Sequence, residues 1–181
     1  MGRFTRILVL VLGVMMVAYQ PADAQKRKKS KDEESKSVQR NRLQAEVIFL
    51  EGEKYFMIED FSKALIFFQK SIELNPENAA CYYKIAQILM IGEEYDNALT
   101  YAAQALQLDP NNKYYYLQNA EVYSKQSNFA AAAQVYETML ATVPDSDTHL
   151  FDLAAIYMYG SSGNAPGGFE ASNLRGAFAT A

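Results

Sequence analysis

Residues 79–112 read AACYYKIAQILMIGEEYDNALTYAAQALQLDPNN, and residues 113–146 repeat the same pattern one segment later. A proline stands near the end of each segment, because Pro76, Pro110 and Pro144 follow one another at equal intervals. Aromatic, small and bulky residues keep the same interval: Phe61, Tyr95 and Phe129; Ala64, Ala98 and Ala132; Gly52, Ala86, Ala120 and Ala154; Tyr55, Leu89, Tyr123 and Tyr157. Many columns in phase at one period predict an array of structurally equivalent repeats.

Each repeat has the pattern of two helices. In residues 79–112, the apolar stripe of the first half follows helical spacing at Tyr82, Ile85, Ala86 and Leu89. The second half has small residues at helical spacing, Ala98, Ala102 and Ala105. Small side chains at a helix crossing let two backbones approach closely. The pattern therefore predicts a tightly packed helix–turn–helix unit.

The segments that contain proline are predicted turns between units. The residue before proline disfavours α geometry, and Asn and Asp favour turns. The residues after the prolines are predicted to cap the next helices through their side chains, at Asn78, Asn112 and Asp147.

These columns resemble the tetratricopeptide repeat (TPR), a family of 34-residue helix–turn–helix units. The resemblance covers residues 45–158, as full repeats at 45–78, 79–112 and 113–146 and a partial repeat at 147–158. It implies an all-α solenoid, a right-handed superhelix with a concave face lined by the first helix of each repeat. Stacking is needed because one hairpin cannot bury its own apolar face.

The resemblance also implies a binding groove on the concave face. The family positions that line it fall here on Phe49, Glu53, Phe56, Tyr83, Gln87, Met90, Tyr114, Leu117, Glu121 and Lys125, and Phe151 continues the line. The family's carboxylate clamp needs Lys, Asn and Arg at positions occupied here by Leu50, Lys84, Gln118 and Asp152, so the clamp is absent. The expected ligand is an apolar or mildly basic peptide or helix. For any one residue, the alternative is packing against a neighbouring repeat.

No residue pattern predicts catalysis, a cofactor or a metal site. His149 is the one histidine and has no nucleophile at useful spacing, so a surface role is expected. Cys81 is the one cysteine and is interpreted as a small packing residue. The sequence therefore predicts a non-catalytic scaffold or adaptor that binds a protein or peptide partner.

The N-terminus has the features of a secretory signal peptide in residues 1–24. Arg3 and Arg6 precede an apolar run at 7–18, and 22–24 read Ala-Asp-Ala, a cleavage motif that would leave Gln25 as the mature N-terminus. The apolar run is short for a membrane span, which needs roughly 20 residues, although an uncleaved anchor stays open. The expected location is periplasmic or extracellular, in a bacterial cell envelope, and away from nucleic acid.

Charge divides the chain into a basic arm and an acidic repeat region. Residues 25–44 carry eight Lys or Arg and three acidic residues, whereas residues 45–181 carry seven basic and seventeen acidic residues. The arm has few apolar residues and is predicted to be a largely disordered linker that runs into the first helix. Residues 26–42 either touch an anionic membrane or an acidic protein, or are a solvated linker.

The repeat pattern stops after Tyr159. Residues 160–168 read GSSGNAPGG, a strong breaker sequence, so residues 159–181 are predicted to be a disordered tail. Part of the apolar surface of the partial repeat should then stay exposed and could support self-association. Two interpretations remain, a stand-alone scaffold and the N-terminal docking portion of a longer, truncated enzyme or sensor protein.

Overall fold

The computed structural model describes residues 22–161, and side chains from 33 to 160. Its α-helices are α1 Ala22–Met57, α2 Phe61–Leu74, α3 Ala79–Ile91, α4 Tyr95–Leu108, α5 Lys113–Lys125, α6 Phe129–Thr142 and α7 Leu150–Ser161. One turn of 3-10 helix, Asp147–His149, precedes α7. No strand occurs in the described residues. The chain divides into two compact units, residues 1–43 and residues 44–181.

The helices pack as hairpins in series, α1 with α2, α3 with α4, and α5 with α6, with α7 against α6. The predicted small residues lie at the crossings and are buried, as with Gly52 and Ala64 in the first hairpin and Ala86 and Ala98 in the second. Apolar clusters also join neighbouring hairpins, since Ile85 and Ile88 of α3 pack with Phe68 of α2. The all-α solenoid predicted from the repeat is therefore confirmed.

The turn inside each hairpin has a repeated backbone geometry. Glu59, Glu93 and Ser127, which occupy the same repeat position, have positive φ angles of 61°, 60° and 57°. In the second hairpin, the Glu94 amide donates to the Leu89 carbonyl and the Glu93 amide donates to the Met90 carbonyl. These two bonds form a Schellman motif, which usually has glycine at the left-handed position. The motif makes a tight chain reversal inside the hairpin.

The turns between hairpins follow the prediction twice and depart from it once. The side chains of Asn78 and Asn112 accept hydrogen bonds from the amides of Ala80 and Tyr114, each at 3.2 Å, as predicted for caps. The predicted cap at Asp147 is wrong. The buried Ser146 instead donates to the Val143 carbonyl at 2.7 Å, and Asp147 begins the 3-10 turn, which delays α7 to Leu150.

The predicted disorder of residues 25–44 is also wrong, because α1 begins at Ala22 and runs without a break to Met57. The segment contains neither Gly nor Pro, and Lys, Arg, Glu and Gln are good helix formers. Extending an existing helix avoids the cost of nucleating a new one. The side chains of residues 33–44 are exposed, which agrees with the small number of apolar residues in this segment.

The first and last helices of the described stack have open faces. Val47 of α1 is 68% exposed, whereas Cys81 and Tyr115, at the same repeat position, are 0% and 7% exposed. At the other end Phe151 is 86% exposed, which agrees with the predicted open surface of the partial repeat. Helix α7 runs to Ser161, beyond the predicted boundary at residue 158. The rest of the predicted tail, and the predicted signal peptide up to residue 21, lie outside the described residues.

Candidate binding groove

The first helices of the three full hairpins, α1, α3 and α5, lie side by side and form what we call the groove face. Lys84 Nζ of α3 lies 3.0 Å from Glu53 Oε2 of α1 and 4.5 Å from the centroid of the Phe56 ring. The Gln118 amide of α5 donates to the Tyr83 backbone carbonyl of α3 at 3.0 Å. Polar contacts thus join each first helix to the next one.

The structure places the ten predicted groove residues on these three helices with different degrees of burial. Phe49 and Phe56 belong partly to the core, because their rings contact Phe68 and Phe61 at centroid distances of 5.5 and 5.6 Å. Leu117 is half-buried in the cluster around Met139. The half-buried residues are Phe49, Glu53, Phe56, Tyr83, Gln87, Met90 and Leu117, and the exposed ones are Tyr114, Glu121 and Lys125.

Tyr83 is the centre of the groove face. Its ring lies 5.2 Å from the Tyr115 ring, and its hydroxyl accepts a hydrogen bond from the Gln87 amide at 3.0 Å. Burial, with a smaller contribution from the negative charge of Glu121, raises the pKa of Tyr83. The neighbouring Tyr114 is 58% exposed. This part of the face therefore combines a fixed aromatic ring with one open to a ligand.

Lys84 and Gln118 also lie on the groove face, although the sequence pattern did not place them among the expected groove residues. Lys84 follows Glu53 in the sequence by the same interval as Gln118 follows Gln87. The members of each pair lie on consecutive first helices, and Glu53 and Lys84 are in direct contact. Reading opposite charges at this offset would have predicted the Glu53–Lys84 contact from the sequence.

The groove face has an excess of hydrogen-bond acceptors. Three buried side-chain oxygens in the described part of the chain have no donor, Glu53 Oε1, Gln87 Oε1 and Gln118 Oε1, and all three belong to these cross-helix pairs. A buried acceptor without a donor costs about 1–3 kcal/mol. Because these oxygens are closed to solvent, a ligand that brings N–H groups to this face would recover part of that cost only after the side chains rotate outward.

The one cysteine and the one histidine each lie next to a polar side chain. Cys81 is fully buried and lies 3.2 Å from Ser71 Oγ, and burial raises the pKa of its thiol to about 11. His149 Nδ1 lies 2.8 Å from Asp152 Oδ2 at the start of α7. Between residues 22 and 161, no cluster of three or more His, Cys, Asp or Glu side chains could hold a metal ion.

None of the helices in the described range combines the length and the apolar character that crossing a bilayer requires.

Two family models, both described as tetratricopeptide repeat, match the chain over residues 49–113 and 89–157. No curated protein sequence matches it. Among solved structures, the TPR2B domain of yeast Sti1 in its pHsp70 complex has a TM-score of 0.57 and 22% identity, with coverage of 65% of this chain and 95% of that domain.

Two further solved structures are similar. The Arabidopsis OM64 TPR domain has a TM-score of 0.56 and 21% identity, with coverage of 64% of this chain and 98% of that domain. The first TPR domain of Spaghetti (RPAP3), bound to the HSP90 peptide SRMEEVD, has a TM-score of 0.59 and 19% identity, with coverage of 65% and 96%. At these identities the likeness establishes the fold.

Proposed function

Because the chain belongs to the tetratricopeptide-repeat family, we propose that it is a non-catalytic scaffold that holds a peptide or helix of a partner protein along its groove face. The observation that carries the proposal is the groove face itself, where three adjacent helices present aromatic rings beside acceptors that have no donor. Aromatic residues are enriched at protein interfaces because they bury a large area at low cost in conformational entropy.

The similar domains support a peptide or protein ligand in general terms. The Sti1 domain was solved as a complex with pHsp70, and the Spaghetti domain with an HSP90 peptide. The clamp residues that the family uses for a peptide carboxylate are absent here, because Leu50, Lys84, Gln118 and Asp152 occupy those positions. We therefore propose a ligand of different chemistry for this chain.

The test is capture of a partner by the mature protein, residues 25–181, from envelope extracts. The variant Tyr83→Ala/Tyr114→Ala should capture at least about tenfold less of any specific partner, since two aromatic contacts are removed. Ile66→Ala, which removes an exposed apolar side chain from α2, should capture as much as the wild type. Equal capture by all three proteins, with helical circular dichroism retained, would show that the groove face is not the binding surface.

We further propose that the protein works in a bacterial cell envelope after export. The basis is the predicted signal peptide, and the check is N-terminal sequencing of the protein from an envelope fraction. Gln25 as the first residue supports cleavage, and Met1 in a membrane pellet supports an uncleaved anchor. The basic segment at 26–42, in which the described side chains of 33–42 are exposed, would then be available to an anionic membrane or an acidic protein, which vesicle co-sedimentation distinguishes from a solvated linker.

The second candidate function is a docking domain at the N-terminus of a longer enzyme or sensor protein. The exposed Phe151 favours it, because a following helix would cover that face. Translation of the genomic DNA beyond codon 159 in all frames decides between the two. Further repeats or a catalytic domain would support docking. If neither is found, the same face becomes a candidate for self-association, which sedimentation of Phe151→Glu tests.

A further inference from the structure

A series of residue pairs runs along the groove face and onto α7, with a change of charge at its last member. The first pair is Glu53 and Lys84, the second is Gln87 and Gln118, and the third is Glu121 and Asp152. The two members of every pair are separated by the same interval, slightly shorter than one repeat, and they lie on consecutive first helices. The first pair combines an acid with a base, the second combines two amides, and the third combines two carboxylates.

The first pair is internally neutralised and the third is not. Lys84 Nζ lies 3.0 Å from Glu53 Oε2, and its side chain is largely buried beside the Phe56 ring. In the third pair, no basic side chain of residues 33–160 forms an ion pair with Glu121, and the Asp152 carboxylate contacts the imidazole of His149. Burial and the charges of Asp152 and Glu121, in that order, raise the pKa of Tyr136, so both carboxylates act on one neighbouring ring.

A second observation points in the same direction. Gln118 is 4% exposed, and its amide nitrogen is held by the Tyr83 carbonyl, which leaves its side-chain oxygen without a donor. The side-chain oxygen of Gln87, the other member of this pair, is also buried without a donor. The second pair has two side-chain oxygens without a donor, and the third pair consists of two carboxylates.

We propose that the segment bound along the groove face carries a lysine or arginine that lies between Glu121 and Asp152. The basic side chain takes the place that Lys84 occupies in the first pair, and amide donors of the same segment meet the oxygens of Gln87 and Gln118 once these side chains rotate outward. This inference rests on the proposed function, because it specifies the ligand of the same groove.

Asp152→Lys is the decisive variant, since it rebuilds the acid–base pairing of Glu53 and Lys84 within the third pair. A basic ligand residue should then be repelled, while the helices that form the groove are unchanged. Glu73→Lys is the matched control, because it makes the same change of charge at an exposed position on α2. Glu121→Gln removes one carboxylate and leaves the contact between His149 and Asp152 intact.

The experiment selects binders to the wild-type protein from a library of short random peptides. A selected peptide is then compared with a copy in which glutamine replaces its basic residue, by fluorescence anisotropy. We expect the wild type and Glu73→Lys to bind the basic peptide about tenfold or more tightly than its glutamine copy, as for a hydrogen bond to a charged group. Asp152→Lys should lose this preference, and Glu121→Gln should reduce it.

Two kinds of result would overturn the inference, and only the second would also overturn the proposed function. Selected peptides without Lys or Arg, or an undiminished preference in both Asp152→Lys and Glu121→Gln, reject the basic ligand but leave the groove as a binding site. If every peptide selected by the wild type also binds Tyr83→Ala/Tyr114→Ala, or if no peptide is selected, the proposed function fails together with the inference.

Discussion

The effect of replacing Gly52 with alanine should change sign with the residue at position 68. A Cβ atom on Gly52 would lie 2.7 Å from Phe68 Cε1 and 2.8 Å from Cδ1, and 3.3 Å from Phe67 Cβ. Phe68 is fully buried and its ring is 5.5 Å from the Phe49 ring, so the ring has no free space to move into. The second hairpin has Ala86 and Ala102 at these two positions, and both are fully buried.

The steric cost of the added methyl group should exceed the stability gained from the higher helix propensity of alanine. Overpacking a core costs about 1–3 kcal/mol, whereas alanine is better than glycine inside a helix by about 1 kcal/mol. We therefore expect Gly52→Ala to lower the free energy of unfolding by about 1 kcal/mol. In a Phe68→Ala background the ring is gone, and the same change should raise it by about 1 kcal/mol. The coupling between the two sites is then about 2 kcal/mol, within the range for residues in contact.

Urea unfolding followed by far-UV circular dichroism measures the four proteins of this cycle, and the chain has no tryptophan for a fluorescence signal. Phe68→Ala alone should cost about 3–5 kcal/mol through the cavity that it leaves. Ala86→Gly is the control at the same repeat position, and should cost about 1 kcal/mol from helix propensity. If Gly52→Ala has the same sign in both backgrounds, the contact with Phe68 does not explain the glycine.

Three further predictions concern the turns, the tyrosines and the cysteine. Glu93→Gly should stabilise the protein by about 0.5–1 kcal/mol, because the φ angle of 60° favours glycine, and a lower denaturation midpoint would contradict this. Stability should fall as the pH rises above about 10, the ordinary pKa of tyrosine. Burial raises the pKa values of Tyr82, Tyr83, Tyr115, Tyr136 and Tyr157, so the unfolded chain loses protons first. A melting temperature that does not fall between about pH 9 and 11 would exclude this linkage. Cys81 should react with a thiol reagent at pH 8 only after unfolding, because it is buried and its pKa is about 11, and rapid labelling of the folded protein would show an open core.

The sequence predicted the hairpins well because a repeated unit marks the same structural position several times. Pro76, Pro110 and Pro144 follow the ends of α2, α4 and α6, and Phe61, Tyr95 and Phe129 begin those helices. The alternation of small and bulky residues also predicted which positions are buried at the crossings.

The predictions failed where the structure of a segment depends on the elements next to it and not on its own composition. Composition predicted disorder in residues 25–44, but the segment continues a stable helix and contains no residue that would end it. The third inter-hairpin turn departs from the others because the Ser146 side chain is buried and donates a hydrogen bond to the Val143 carbonyl within the same turn. Burial of this side chain depends on the packing around the turn, which the local sequence does not specify. The contacts of Lys84 and Gln118 depend on the spacing between adjacent first helices, which no single repeat specifies.

The central claim is that a ligand lies across α1, α3 and α5, and backbone chemical-shift mapping during titration with a selected peptide tests it most directly. We expect the largest changes in amide chemical shift at Tyr83, Gln87, Tyr114 and Glu121 and at their neighbours in the sequence. Changes confined to the exposed positions of α2, α4 and α6 would contradict it.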